Sequence, residues 1–251
     1  MRDALAGEWL KLRSVSSTYW LAATAVLTTT LLGILVCALL GSDYRGLDAE
    51  QQEAFDPVGL SCTGVQFGQL AIVILAVRAA GSEFTTGLIR ISLAAVPDRR
   101  TFLTAKLITL ALVGLGCGLL SGMLSVALGT ATLTHGSTLL LTPEGIRSCL
   151  GNAAYFALLA AFSAAVAIMV RRTLTALGIL LPLFFVLSGT LGVSDRLRPY
   201  SRLLPDRAGL RLMQIHQESG DLPPMAGGLV MLLWTAAAIV LGWWSLRTKN
   251  V

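Results

Sequence analysis

Few residues of this 251-residue chain are of types that carry chemistry, and their spacing excludes most of it. His135 and His216 are the only histidines, and neither has the H-E-x-x-H partner that would hold zinc. There is no G-x-x-x-x-G-K-[ST] stretch, so the chain has no loop of that kind to cradle the phosphates of ATP. Cys37, Cys62, Cys117 and Cys149 are scattered through apolar sequence without metal or redox spacing, which predicts small packing residues. Cys37 and Cys62 both fall near one face of the expected membrane, where they could approach each other. No catalytic residue, metal site or cofactor is expected.

The chemistry on offer is recognition. Residues 81–106 form a charged segment between two long apolar runs, punctuated by glycine and proline. Glu83 follows the first run directly, and it can pair with a basic partner residue or cap the connector. Gly87 interrupts what would otherwise be helix, at about 1 kcal/mol relative to Ala, and permits a bend or a close approach. Pro97 ends the apolar stretch, and Asp98 can cap a helix that carries Arg99, Arg100 and Lys106 at the inner surface. Thr63, Gln66 and Gln69 share a face of the run before this segment. Burying amides costs several kcal/mol unless they are paired or wet, so these residues either line a substrate path or bond another helix. Arg198 and Arg202, then Arg207 and Arg211, repeat at i, i+4 with leucines between them, as in short helices half-sunk in a headgroup layer.

The elements that must position these groups are membrane spans. A hydrocarbon core about 30 Å thick needs roughly 20 apolar residues at about 1.5 Å each. Six such runs are read at 19–41, 59–80, 104–129, 150–170, 173–193 and 226–246. With 55% hydrophobic and 13% charged residues, too little polar sequence remains to cover a soluble surface. The fold class is therefore an all-α integral membrane protein, with residues 1–251 as a single transmembrane domain. Lys and Arg bias short loops to the cytoplasm, and twelve of the nineteen fall in the segments that a cytoplasmic N-terminus places inside. Both termini are thus expected in the cytoplasm, with the arginine-bearing loop 194–225 outside. The net charge of +5 is read as this topology, and no nucleic acid is expected as a partner.

Residues 1–18 are expected to form an amphipathic interfacial helix, with Leu5, Trp9, Leu12 and Ser16 on one face and Glu8, Lys11 and Arg13 away from its centre. Asp3, Glu8 and an apolar run over 20 residues long distinguish this start from a signal peptide. Gly114, Gly118 and Gly122, beside Ser121 and Ser125, mark a face where another helix can approach closely. Pro182 should kink the fifth span. Arg78 sits at the inner edge of the second span, where it can snorkel, and no cluster of ionisable residues is evident at membrane depth. That argues against an intramembrane protease or phosphatase and against an ion-coupled transporter, as does the lack of an internal repeat.

The connector resembles that of the permease subunits of type-2 ABC exporters. Their pattern after the second span is a Glu, a Gly a few residues later, an apolar stretch, a Pro-x-x-Arg turn and a Lys entering the third span. Here those positions read Glu83, Gly87, Leu88 to Val96, Pro97-Asp-Arg-Arg100 and Lys106. The opening Glu8-Trp-Leu-Lys-Leu-Arg-Ser14 is similar to that family's first helix, and Leu88 stands where the family often has Thr. The resemblance implies two six-span halves in the plasma membrane around a substrate path, the second half being the same or a different chain. Each half would dock a separate cytoplasmic ATPase subunit through the coupling segment 81–104, with Glu83, Gly87, Pro97 and Arg100 as coupling residues. It also implies that the segment holding Arg198, Arg202, Arg207 and Arg211 closes the path from outside, where lipid anchoring is the alternative. A membrane scaffold or immunity protein, or a secondary transporter with an unusual site, are the competing function classes. The identity of the substrate is left open.

Overall fold

A computed structural model describes residues 1–46, 56–95, 98–133, 137–188, 201–214 and 223–248. The described residues are helical and turn structure without strands. In chain order the helices are α1 (Arg2–Ser14), α2 (Ser16–Gly46), α3 (Pro57–Ser61), α4 (Val65–Thr85), α5 (Leu88–Ala95), α6 (Arg99–Leu133), α7 (Pro143–Val170) and α8 (Thr173–Pro182). A π-helical turn, Leu183–Leu187, continues α8; then come α9 (Pro205–Leu210), a 3-10 turn (Arg211–Met213) and α10 (Pro224–Thr248).

Among the described residues five helices are long and apolar enough to cross a membrane: Ser16–Gly41 within α2, then α4, α6, α7 and α10. The sixth expected span, 173–193, is met in the described residues by a shorter apolar helix, Thr173–Leu187, and its last residues lie outside them. Pro182 acts as expected at this point. It lacks an amide hydrogen to bond back into the preceding turn, and the helix widens to π geometry immediately after it.

Glycine sets how closely the long helices approach. The Gly114, Gly118 and Gly122 face of α6 lies on α7, where a Cβ at Gly118 would sit 2.6 Å from the Asn152 carbonyl oxygen. Asn152 uses this proximity, donating from Nδ2 to the Gly118 carbonyl at 2.8 Å and to Ser121 Oγ at 3.1 Å. Gly33, Gly64 and Gly68 do the same between α2 and the segment 61–68, and Gly129 brings α6 against Ser61. The core runs along the α4, α6 and α7 interfaces, with Ile72, Leu110, Tyr155, Phe156 and Leu159 fully buried. All four cysteines are buried and free, in keeping with packing roles.

Three contacts put α1 and the end of α10 at one end of the bundle. Arg99 at the start of α6 donates to the Leu246 carbonyl of α10. Arg171 at the end of α7 donates to the Ser245 carbonyl at 2.6 Å. Meanwhile α1 lies against α6 through Glu8 and Lys106.

The connector is shorter than the sequence suggests. The helix of α4 continues through residues 81–85, which the reading of the sequence placed in a polar loop, and α6 begins at Arg99. The link between them is Thr86, Gly87, α5 and the few residues after it. Gly87, at φ +75°, ends α4 in the left-handed conformation that glycine adopts at low cost, as the Thr86 amide closes onto the Ser82 carbonyl at 2.9 Å.

Candidate functional site

Four charged side chains meet at the end of the bundle that holds α1 and the end of α10. Lys106 Nζ donates to Glu8 Oε2 at 2.6 Å and to Glu83 Oε1 at 2.9 Å. Lys11 Nζ reaches Glu8 Oε1 at 2.7 Å, Glu83 Oε1 at 2.9 Å and Ser92 Oγ of α5 at 3.0 Å. Two cations thus face two carboxylates, and together they join α1, α4, α5 and α6. Glu8, Glu83 and Lys106 are buried, at 7%, 5% and 3% exposure, and only Lys11 reaches solvent substantially. Burial pushes the Glu8 carboxyl up, yet the charges and hydrogen bonds of Lys106 and Lys11 outweigh it and hold the group below its ordinary value. Burial likewise works against charged Lys11, while Glu8 and Glu83 raise it on balance. Among the described residues Glu83 Oε2 has no hydrogen-bond partner.

This geometry corrects two expectations. The buried stripe of α1 is centred on Glu8, with Ala4, Leu5 and Leu12 beside it, while Trp9 points outward at 45% exposure. The apolar periodicity of α1 suggested the reverse, because it could not register that Glu8 has Lys106 to meet. Glu83 is likewise no open handle, since α4 turns it into the bundle. An ionisable cluster does exist at the edge of the spans, assembled from residues that the sequence keeps 98 and 23 positions apart. The legible signals were the Glu8 and Lys11 pair within one short helix and a lysine inside the first turns of an apolar one.

Two cavities of about 350 Å³ flank the cluster. One lies between α1, α5 and α6 beside Gly7, Ile91 and Phe102, and the other between α1, α2 and α4 beside Leu21, Arg78 and Thr86. The helix α5 is held by Ile89, buried at 3%, and by Ser92. Leu88 and Ile91 stand out at 49% and 67% exposure. Arg100 is exposed and lies over the Trp243 ring at 5.3 Å, which ties the return into α6 to the end of α10. Pro97 lies outside the described residues.

At the opposite end the expected polar face divides. Thr63 and Gln66 are exposed, Thr63 bonding only the Leu60 carbonyl of its own turn. Gln69 is buried and accepts the Tyr155 hydroxyl of α7, so it serves as an interhelical bond. Gln66 and Gln69 border a cavity of about 220 Å³ that Phe184, Ser188 and Asp206 complete. Asp206 is buried and accepts the Ser188 hydroxyl, and burial raises its carboxyl above the ordinary value against that bond.

Residues 201–214 of the arginine-bearing segment are folded onto the bundle. Gly209 sits on the Tyr155 ring, where a Cβ would come within 2.5 Å of the ring edge, and Ala208 and Leu212 meet Gly227 and Gly228 of α10. Arg207 donates to Ser188 Oγ at 3.2 Å and to the Ser188 carbonyl at 3.1 Å, clasping the end of the π-turn. Arg211 bonds Gln214 at 2.5 Å, Arg202 is half-buried, and Arg198 lies outside the described residues, as do His135 and His216.

The family model that matches the chain is described as ABC-2 family transporter protein and covers residues 4–189, from α1 to the end of the π-turn. Among curated proteins none matches. With about three quarters of its length matched, the chain belongs to the ABC-2 family of membrane transport permeases.

Proposed function

We propose that this chain is one half of an ABC exporter in the plasma membrane, with both termini in the cytoplasm, and that it takes its driving force from a separate ATPase subunit. The observation that carries the reading is the state of α5. It is a two-turn helix with Leu88 and Ile91 turned outward, suspended between two membrane helices and locked from behind by Lys11 and Ser92. Permeases of the ABC-2 family normally leave ATP hydrolysis to a partner, and this chain has no phosphate-binding loop of the Walker type.

In this mechanism the ATPase grips the open face of α5 and moves it when its nucleotide sites close. Because Lys11 joins Ser92 to Glu83 and Glu8, and Lys106 joins both carboxylates to α6, the push reaches α1, α4 and α6 together. Glu83 and Lys106 are the transmission, Gly87 is the joint, and Arg100 with Pro97 fixes the return. The cavity beside Gln66 and Gln69 lies on the side toward which the path opens, and the segment bearing Arg207 and Arg211 closes it from outside. A second permease half, identical or different, completes the path.

The test is Ile91→Asp, which puts a carboxylate on the open face and leaves every described bond of the lock in place. The ATPase is expected to be lost on co-purification in mild detergent, and export to fall with it, while the permease inserts and unfolds as before. Normal export with the ATPase still bound would overturn the docking assignment.

A further inference from the structure

A second polar site adjoins the cavity beside the ion cluster, sharing Arg78 and Ser82 with it, and nothing in the transport reading uses it. It is a groove of about 610 Å³ between the end of α4 and the start of α8. Arg78, Ser82 and Thr85 line it from α4, and Arg172, Thr173 and Thr175 from the other wall, with no carboxylate among the lining residues. Close helix approach builds it: Gly81 lets Thr173 pack so near α4 that a Cβ there would lie 2.7 Å from the Thr173 hydroxyl. Among the described residues neither the Arg78 nor the Arg172 guanidinium has an ion pair or a side-chain hydrogen bond, and the Ser82, Thr173 and Thr175 hydroxyls are without partners too. The helix α8 begins at this groove with no side-chain cap, so the amide hydrogens of its first turn add further donors.

We propose that this groove binds the phosphate group of an anionic membrane lipid. Two forked cations, three hydroxyls and a helix start, with no negative charge among the lining residues, are complementary to a phosphate's oxygens. The lipid source follows from what surrounds the polar floor. Leu174 projects from the groove at 84% exposure, and Ile179 one turn and a half along α8 is 49% exposed, so an acyl chain leaving the phosphate meets apolar helix surface. The groove also sits at the end of α4, a helix of membrane length, where a headgroup would be met, and a basic pocket between membrane helices is a recurring headgroup site. The inference does not rest on the ATPase reading. A chain that failed to dock an ATPase would keep the groove.

The experiment is native mass spectrometry of the detergent-purified full chain, titrated with phosphatidylglycerol, with phosphatidylcholine as control and inorganic phosphate as competitor. The wild-type chain is expected to prefer phosphatidylglycerol by about an order of magnitude, because both lipids carry the phosphodiester but phosphatidylcholine brings a quaternary ammonium against Arg78 and Arg172. Arg78→Gln with Arg172→Gln should abolish the preference. Thr175→Trp, which fills the groove and leaves both charges, should abolish it as well; this second variant separates binding in the groove from general attraction to a basic end. A preference that survives Thr175→Trp would overturn the site. Displacement of the lipid by millimolar-range phosphate alone would overturn the lipid assignment, because a free anion would then satisfy the groove without the acyl contacts.

Discussion

Lys106 is the residue on which the lock depends, because it is the one cation that both buried carboxylates share without access to water. Taking it away leaves Glu8 and Glu83 with Lys11 alone, and breaking a buried pair from one side costs about 3–5 kcal/mol. Lys106→Met should therefore lower the unfolding temperature in detergent clearly. Glu83→Gln combined with Lys106→Met should recover much of the loss, since it removes the stranded charge as well; thermal unfolding of the two variants in parallel checks both. Lys11→Ala should cost less than Lys106→Met, because Lys11 is half in water and water can take its place beside the carboxylates. The lock also carries a pH dependence with a definite sign. The Glu8 carboxyl is held below its ordinary value in the folded chain, so its contribution is complete above about 4.5 and is lost as pH falls through the lower folded value. The protection of residues 2–14, taken as the observed amide exchange rate relative to the intrinsic rate at each pH, should fall in that acidic window and stay flat above it. A loss of protection on raising the pH toward neutrality would contradict the assignment.

Helix contacts decide which glycines matter, and two on α6 make the cleanest comparison. Gly118 faces α7 at a distance that no side chain can enter, whereas a Cβ at Gly116 meets nothing. Gly118→Leu should separate the helices, break the Asn152 bond and cost more than about 2 kcal/mol, and Gly116→Leu should be near neutral; unfolding in detergent distinguishes them. Gly87 is sensitive for another reason. Space around it is open, so its constraint is the positive φ alone. Gly87→Asn should therefore impair export less than Gly87→Val, because Asn tolerates that region and a β-branched residue does not. The face of α6 was legible in the sequence because small residues recurring every four positions have one structural use in a span. The true face of α1 was not, because its centre is a carboxylate whose partner belongs to a helix far along the chain. Local periodicity ranks Glu8 as polar and turns it outward, and only the tertiary pairing with Lys106 reverses that. The same reasoning explains Glu83, whose position after an apolar run made it look like the start of a loop when it is the last buried turn of α4.

At the scale of the whole chain, the six apolar runs gave five helices of membrane length and one shorter helix broken by Pro182, so the sequence carried the architecture nearly complete. What it could not carry was the pairing of ends, which depends on Arg99 and Arg171 reaching the last turns of α10. Those contacts put α1, the end of α10 and the turn at Thr86 on one side, and the turn at Leu141 and the start of α10 on the other. From the charge asymmetry of the sequence we expect the first side to be cytoplasmic. Labelling of single cysteines with an impermeant reagent in intact cells reads this directly, on a background with Cys37, Cys62, Cys117 and Cys149 replaced. Ser201 lies in the loop expected outside, yet it is a poor reporter, being 4% exposed. Leu141→Cys and Met225→Cys replace residues that are 83% and 85% exposed, and both should label in intact cells. Thr86→Cys, exposed at the opposite end, should label only after the membrane is permeabilised. The inverse pattern would put α5 outside the cell, out of reach of any cytoplasmic ATPase, and the exporter reading would fall with the topology.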